Sequence, residues 1–166
     1  MTSPAIIRSA TVGDAEAIAT IYNHYITQTV VTFETEEVST AEMAQRMDQV
    51  LSASFPWLVA DAEGEVVGYA YAHKWHARSA YRFAAEMTVY LAPGQAGRGI
   101  GSDLYQGVMD ALRGSDIHTV IGGIALPNDA SVALHEKFGF RQAAHYREVG
   151  FKFDRWIDVG YWQRIL

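Results

Sequence analysis

Glu86 is the side chain best suited to proton transfer, because it is the one acidic residue in the apolar stretch Phe83–Leu91. The alternation of this stretch predicts a strand with Glu86 and Tyr90 on one face. Burial raises the pKa of a carboxyl group towards neutral pH, which suits a general base. The residues alone leave a second interpretation equally open, in which Glu86 is a structural carboxylate paired with a nearby arginine.

The stretch that follows, Pro93–Gly101, reads PGQAGRGIG and predicts a loop that runs directly into a helix. Backbone N–H groups at a helix start carry partial positive charge and have no partner within the helix, so they can hold a diphosphate. No Gly-Lys-Ser/Thr ends the loop, and Ser102 stands where a dinucleotide fingerprint needs its third glycine. A flexible turn with helix-capping glycines is the alternative interpretation.

Composition excludes several classes of function. The net charge is −6 over 166 residues without a block of lysines and arginines, which argues against a nucleic-acid surface. The sequence has no cysteine, which excludes a disulfide and a cysteine nucleophile, and its six histidines show no metal-ligand spacing, so we expect no metal. No leader peptide and no apolar run of about 20 residues is visible, so we expect a cytoplasmic protein without a membrane partner.

Hydrophobic periodicity predicts strands and helices in mixed order. A helix begins near Asp14, and another covers Ser39–Leu51 with Ser39 as its cap and Glu42 as the capping-box partner. A third follows the glycine loop with an apolar stripe of Leu104, Val108, Ala111 and Leu112, and a fourth covers Asn128–Lys137, capped by Asn128 and ended by Gly139. The predicted strands are Ala5–Arg8, Trp57–Asp61, Glu65–His73, Phe83–Leu91, His118–Leu126, Arg141–Val149 and Val159–Leu166.

This order predicts an α/β fold with one mixed sheet flanked by helices. The stretch Ala62–Gly64 suits a tight hairpin between two of the strands. No repeat, low-complexity tract or long linker interrupts the chain, so we expect residues 1–166 to form a single domain.

The chain resembles the GNAT superfamily of acyl-CoA N-acyltransferases, and within it the phosphinothricin and methionine sulfoximine acetyltransferases. The superfamily loop pattern is Gln/Arg-x-x-Gly-x-Gly/Ala, which Gly99 and Gly101 fit, whereas Ala96 departs from the first position and Gln95 sits one residue early. The resemblance runs nearly end to end, through IYNHYI (21–26), TFETE (32–36), PWLVA (56–60), WHARSAY (75–81), EMTVYL (86–91), GIGSDLY (99–105), LPNDASVALHEKFGF (126–140) and GFKFDRWIDVGYWQ (150–163).

The resemblance implies a GNAT fold with a mostly antiparallel sheet, splayed central strands and acetyl-CoA as co-substrate. Pantetheine is then expected along the strand and at Asn128, and the diphosphate on the glycine loop. The departure at Ala96 affects a side-chain contact but leaves the backbone amides in place. The cofactor-binding residues so implied are Val89, Tyr90, Leu91, Ala96, Gly97, Arg98, Gly99, Ile100, Gly101, Asn128 and Ser131.

The resemblance also implies catalytic roles. It favours Glu86 as the general base, acting through water. His135 falls where many GNAT enzymes have a tyrosine that protonates the leaving thiolate, and histidine can do this near neutral pH. A helix histidine that bonds to nearby backbone is an equally open interpretation.

The implied substrate-binding residues are Phe33, His76, Arg78, Tyr81 and Tyr90. We choose Arg78 for the α-carboxylate of the substrate, because a guanidinium holds a carboxylate through two parallel hydrogen bonds. Phe33 and Tyr90 are also compatible with simple packing. Arg82 is the weaker candidate for the carboxylate, since its interpretation as a solvated surface residue is the simpler one.

The sequence thus predicts acetyl transfer to the α-amine of a small amino-acid analogue such as phosphinothricin, methionine sulfoximine or methionine sulfone. A GNAT enzyme that acetylates protein amines and a non-catalytic acyl-CoA sensor are the alternatives; Glu86 counts against the sensor. Members of the resembled family form dimers, so we expect a homodimer. Trp156 and Trp162 then pack either the C-terminal strands or a subunit interface.

Overall fold

The computed structural model describes residues 4–166. The strands form one seven-stranded sheet in the order β1-β2-β3-β4-β5-β7-β6, with β4 and β5 parallel. The predicted α/β class with a mixed sheet is therefore confirmed. In chain order the elements are β1 (Ile6–Ser9), a 3-10 turn (Val12–Asp14), α1 (Ala15–Gln28), α2 (Thr40–Ser52), β2 (Trp57–Ala62), β3 (Glu65–Lys74), a second 3-10 turn (Ser79–Tyr81), β4 (Ala84–Leu91), α3 (Ile100–Arg113), β5 (Thr119–Leu126), α4 (Asp129–Lys137), β6 (Arg141–Lys152) and β7 (Arg155–Ile165).

Helix ends follow local side-chain chemistry. Ser39 accepts a hydrogen bond from Glu42 N at 3.1 Å, and the Asn128 side chain accepts one from Ser131 N, also at 3.1 Å, so both predicted caps are confirmed. The first helix begins at Ala15, directly after Asp14, as expected for a helix that begins near Asp14; Asp14 itself belongs to the 3-10 turn that precedes the helix. The predicted stripe of α3 is wrong in one position: Ala111 is exposed.

The C-terminal hairpin is longer than predicted, since β6 continues to Lys152 and β7 already begins at Arg155. Phe153 and Asp154 make the turn, both with positive φ (51° and 56°). Two-residue hairpin turns with positive φ at both positions favour Asn-Gly or Asp-Gly, and Phe-Asp is not such a pair. No residue pattern therefore predicted this turn, whereas the β2–β3 hairpin at Glu63 and Gly64 was predicted correctly.

Contacts divide the chain into two units. The first comprises the described residues up to Tyr22, Val38–His73 and Met87–Asp116. In this unit α3 packs closely on β2: Gly107 leaves so little space that a Cβ there would stand 2.6 Å from Leu58 Cδ1. The largest fully buried side chains of this unit are Ile18, Met47, Val59, Tyr69, Met87, Leu104, Tyr105, Val108, Met109 and Leu112.

The second unit comprises Asn23–Glu37, Lys74–Glu86 and Ile117–Leu166. Its parallel ladder runs from the pair Ala84–Thr119 to the pair Glu86–Ile121, so Glu86 is the last residue of β4 that pairs with β5. β7 lies antiparallel between β5 and β6. The buried apolar residues of this unit are Ile26, Ala84, Ala85, Val120, Ile124, Phe138, Phe140, Ile157 and Trp162.

An ion network ties three elements of the first unit together. The Arg8 guanidinium on β1 donates two hydrogen bonds to the Asp14 carboxylate, at 2.8 and 2.9 Å, and a third to Asp61 at 3.0 Å. Asp14 is only 8% exposed and also accepts from Thr11 N at 2.8 Å. The hydrogen bonds from Arg8 lower the pKa of the Asp14 carboxyl below its ordinary value of 3.8, against the opposing effect of burial.

Replacing this carboxylate tests the network. We expect Asp14→Asn to lower the free energy of unfolding at pH 7 by about 1–2 kcal/mol, because Arg8 loses a bidentate partner. Since the folded-state pKa is lowered, the stabilisation is complete above the unfolded pKa and is lost as pH falls through the folded pKa. Urea unfolding from pH 7 to pH 3 measures this, with exposed Asp48→Asn as control. A difference from wild type that does not shrink in acid would contradict the prediction.

Candidate active site

The loop before α3 has the backbone that the sequence predicted. Gly94, Gly97 and Gly99 all have positive φ, between 76° and 82°, and no atom lies within 4 Å of a Cβ built at any of them. Glycine is thus required by the backbone conformation rather than by crowding. α3 starts at Ile100 with Gly99 as its cap, and no side chain caps the helix.

The start of α3 is suited to an anion. The first N–H to bond within the helix is that of Asp103, which donates to Gly99 O at 3.0 Å. Ile100 and Gly101 precede it, in the first turn, where N–H groups have no carbonyl of their own helix to bond. The exposed Arg98 adds a positive charge to the loop. This donor set fits a diphosphate group such as that of coenzyme A.

Tyr90, predicted on the cofactor strand, lies in an aromatic cluster of the first unit. Its ring is 5.4 Å from that of Tyr22, edge-on, and 5.5 Å from that of Tyr69. These contacts are the ones expected if Tyr90 simply packs against other side chains. A cavity of about 310 Å³ opens in this unit, but none of the predicted site residues lines it; its lining is Tyr22, Met43, Arg46, Gln49, Val50, Trp57, Tyr69, Tyr71 and His73.

Glu86 lies beside a tyrosine that the sequence did not single out. A Cβ built on Gly123 would stand 3.4 Å from Glu86 Oε1 and 3.1 Å from Tyr161 Cε1, so the missing side chain of Gly123 leaves room for both groups. Burial, and then the negative charge of Glu86, raise the pKa of Tyr161. The phenol of Tyr161 is therefore neutral at physiological pH.

His135 lies on the other face of β5. A Cβ built on Gly122 would overlap the His135 ring, whereas one on Gly123 would point at Glu86 and Tyr161. Because neighbouring residues of a strand point to opposite faces, His135 and the Glu86 carboxylate are separated by the strand itself. The two predicted catalytic residues are thus not brought together on one face.

The protonation of His135 follows from its surroundings. It is 4% exposed, and its Nδ1 lies 2.7 Å from Ser131 O. A carbonyl oxygen only accepts, so Nδ1 carries the proton and Nε2 of the neutral ring does not. Burial lowers the pKa of His135 below its ordinary 6.5, despite the bond to Ser131. Only the disfavoured imidazolium could then donate from Nε2.

A series of ring contacts connects the segment Trp75–Tyr81 with Tyr161, which lies beside Glu86. Trp75 packs edge-on against Tyr161 at 5.5 Å, His76 lies 4.4 Å from Trp75, and Tyr81 lies 5.1 Å from His76. Two of the predicted substrate residues, His76 and Tyr81, are therefore joined to the Glu86 neighbourhood. Trp75 and Tyr161 complete this series of ring contacts, and the sequence analysis singled out neither of them. Tyr161 could not be found from sequence, because only the pairing of β7 with β5 brings it there.

The contacts of the other predicted residues are as follows. Arg78 is exposed in the same segment, and its carbonyl accepts from Tyr81 N at 3.0 Å. Asn128 and Ser131, predicted at the cofactor, are joined to each other by the helix cap. Phe33, 40% exposed, lies against Gly150 of β6.

Two classes of site find no support in residues 4–166. No group of three or more His, Cys, Asp or Glu side chains there is arranged to hold a metal ion. Over the same range, no helix is long and apolar enough to cross a membrane.

Comparisons with known proteins show the family of this chain. A family model described as an acetyltransferase (GNAT) domain matches residues 7–160. The chain is 41% identical to a phosphinothricin N-acetyltransferase of Streptomyces viridochromogenes, over 97% of this chain and 87% of that protein. It is 33% identical to an L-methionine sulfoximine/L-methionine sulfone acetyltransferase of Salmonella typhimurium, over 95% and 92%.

Structural similarity is equally extensive. A phosphinothricin acetyltransferase of the GNAT superfamily from Sinorhizobium meliloti, solved in complex with acetyl-CoA, superposes with a TM-score of 0.95 at 35% identity, over 99% of this chain and 89% of that one. The family match covers nearly the whole chain, including the glycine loop and Glu86. The chain therefore belongs to the GNAT family and is an N-acetyltransferase.

Proposed function

We propose that this acetyltransferase moves the acetyl group of acetyl-CoA to the α-amine of a small amino-acid analogue such as phosphinothricin, methionine sulfoximine or methionine sulfone. One observation carries the proposal: the Glu86 carboxylate stands beside the neutral phenol of Tyr161, at the end of an aromatic chain that leads to His76 and Tyr81. The names of the two curated relatives support the substrate class.

Glu86 would supply the proton acceptor. An α-ammonium group must lose a proton before its nitrogen has a lone pair to attack an acyl carbon, and a half-buried carboxylate can take that proton directly or through water. Acetyl-CoA supplies the acetyl group as a thioester, from which a thiolate leaves. The neutral phenol of Tyr161 would donate a hydrogen bond that holds a water or the amine near the carboxylate.

Coenzyme A would be held mainly through backbone. The N–H groups at Gly99–Gly101 would take the diphosphate, with Ala96, Gly97 and Arg98 completing the loop. Val89, Tyr90 and Leu91, with Asn128 and Ser131, are proposed for the pantetheine arm. Because backbone amides do this work, the departure of Ala96 from the family pattern does not weaken the proposal.

A homodimer is also proposed. The C-terminal hairpin exposes large apolar side chains: Val149 is 60%, Phe151 56% and Trp156 63% exposed, whereas Trp162 is buried at 4%. Exposed apolar clusters of this kind mark interfaces. Trp162 thus packs within the C-terminal strands, and Trp156 is the tryptophan proposed for the subunit interface.

Turnover with an acceptor panel tests the activity. We expect thiol release from acetyl-CoA with phosphinothricin, methionine sulfoximine or methionine sulfone, and little with the common amino acids. Glu86→Gln should lower kcat by a factor of about 10²–10⁴, because it removes the base, and should leave calorimetric binding of acetyl-CoA unchanged. The exposed Glu37→Gln is the control. Binding of acetyl-CoA by wild type without acetylation of any amine, peptides included, would favour the sensor instead.

Arg78→Ala tests the grip on the acceptor carboxylate. Loss of a bidentate partner should raise the KM of the acceptor about tenfold or more and spare that of acetyl-CoA. The matched control is Arg82→Ala, since the Arg82 guanidinium already lies over the Phe83 ring at 4.3 Å. Steady-state kinetics with each substrate varied in turn gives both constants. Equal effects on the two would discredit the assignment of Arg78.

The pH dependence of kcat tests His135 as the acid. With its pKa lowered by burial, an essential imidazolium would be lost already below neutral pH, so kcat would fall as pH rises from 6 to 8. We expect kcat to stay level or to rise over this range, because the neutral ring bonds Ser131 and does not act as the acid. A falling limb that disappears in His135→Asn would restore the catalytic role.

A further inference from the structure

Lys152 is an unusual lysine. It is 4% exposed, and among the described residues only Asp14, Thr32 and His135 are polar and equally buried. Its ammonium group donates a hydrogen bond of 2.8 Å to Thr32 O, a partner 120 positions away in the chain. Burial of a charge is costly unless the charge is bonded, so this contact has to offset a substantial desolvation.

The partner of Lys152 is the segment between α1 and α2, residues 29–39. This segment contributes the buried Thr32 carbonyl and, two residues later, the negative charge of Glu34, which partly offsets the lowering of the Lys152 pKa by burial. Within the segment, Val31 N and Glu34 N each donate a hydrogen bond to a threonine hydroxyl. The segment has no helix or strand ladder of its own. Its position therefore depends on contacts such as that with Lys152.

Gly150 provides the second contact with this segment. The Phe33 ring lies so close that a Cβ on Gly150 would overlap it. Gly150 and Lys152 are both buried and alternate with exposed Val149 and Phe151, so they share one face of β6. One strand face thus holds two consecutive residues of the segment, Thr32 through its carbonyl and Phe33 through its ring.

We propose that Lys152 is a positioning residue for the acceptor site: its bond to the Thr32 carbonyl fixes the α1–α2 segment so that the Phe33 ring stays seated on Gly150, facing the acceptor. This rests on the proposed function and on Phe33 as one of the substrate-binding residues that the family resemblance implies. Lys152 itself touches no reacting atom in this proposal. Its loss should therefore change the KM of the acceptor and not the affinity for acetyl-CoA.

The matched variants are Lys152→Met, which keeps the length of the stem but removes the donor, and Lys152→Arg, which keeps a donor and the charge. The control is Lys137→Met, which removes an exposed lysine of α4. With phosphinothricin as acceptor, we expect Lys152→Met to raise the KM of phosphinothricin about tenfold, as for loss of a charged hydrogen bond. The KM of acetyl-CoA should stay within a factor of two, and Lys152→Arg should recover part of the loss.

Hydrogen exchange measures the segment without any catalysis. Amides of residues 29–37 should exchange about tenfold faster in Lys152→Met than in wild type or Lys137→Met, because the hydrogen bond that fixes the segment is gone. If wild type acetylates nothing, the proposed function fails, but the exchange data still decide whether Lys152 fixes the segment. Unchanged exchange at residues 29–37 would overturn the proposal.

Gly150→Ala separates the ring from the hydrogen bond, and it remains informative if Lys152→Met does not fold. The added methyl group must displace the Phe33 ring, while the bond between Lys152 and Thr32 can persist. We expect the same selective rise in the KM of phosphinothricin. An equal rise in both KM values, or none in either Gly150→Ala or Lys152→Met, would show that Phe33 and its support do not set acceptor binding.

Discussion

Two consecutive glycines in a central strand make the proposed chemistry possible. Gly122 leaves space on one face of β5 for the His135 ring, and Gly123 leaves space on the other for the Glu86 carboxylate and the Tyr161 ring. A Cβ on Gly122 would overlap the His135 ring, and one on Gly123 would stand 3.1 Å from Tyr161 Cε1, so that ring would have to shift. Glycine weakens a strand, because it packs nothing and is costly to order, so its presence twice in succession marks a place where neighbours must come close. The two glycines keep their place in the sheet through β7, where they pair with Trp162 and Tyr161.

This arrangement also separates the two residues first considered for catalysis. Glu86 and the neutral Tyr161 lie on the same face of β5. A neutral phenol beside a carboxylate suits proton transfer from an amine. His135 is buried on the opposite face, bonded to Ser131 and held as a neutral ring. Its geometry matches a residue that seats α4 on β5 better than one that releases a proton. Tyr161, which the sequence analysis did not single out, lies beside the proposed base.

In the proposed enzyme, backbone groups bind coenzyme A and side chains bind the acceptor. The glycine loop offers N–H groups at the start of α3, where the backbone conformation at Gly97 and Gly99 is what matters. The acceptor side depends instead on particular side chains. There the irregular α1–α2 segment is held from β6 by the buried ammonium of Lys152 and the bare backbone at Gly150. Substitutions in the two regions should therefore affect the two substrates separately.

Local patterns in the sequence determined most of the elements and the glycine loop. Ser39 and Asn128 predicted the starts of their helices, the alternation around Glu86 predicted its strand, and the glycines before Ile100 predicted the loop that leads into α3. Each of these signals acts within a few residues. The turn at Phe153–Asp154 was missed, since neither residue type favours its conformation. Only the tertiary structure decided that Tyr161 stands by Glu86, that His135 faces away, and that Lys152 reaches Thr32. Tyr161 is 75 positions from Glu86 in the chain and Lys152 is 120 positions from Thr32. These contacts follow from strand pairing and burial, which no local pattern records.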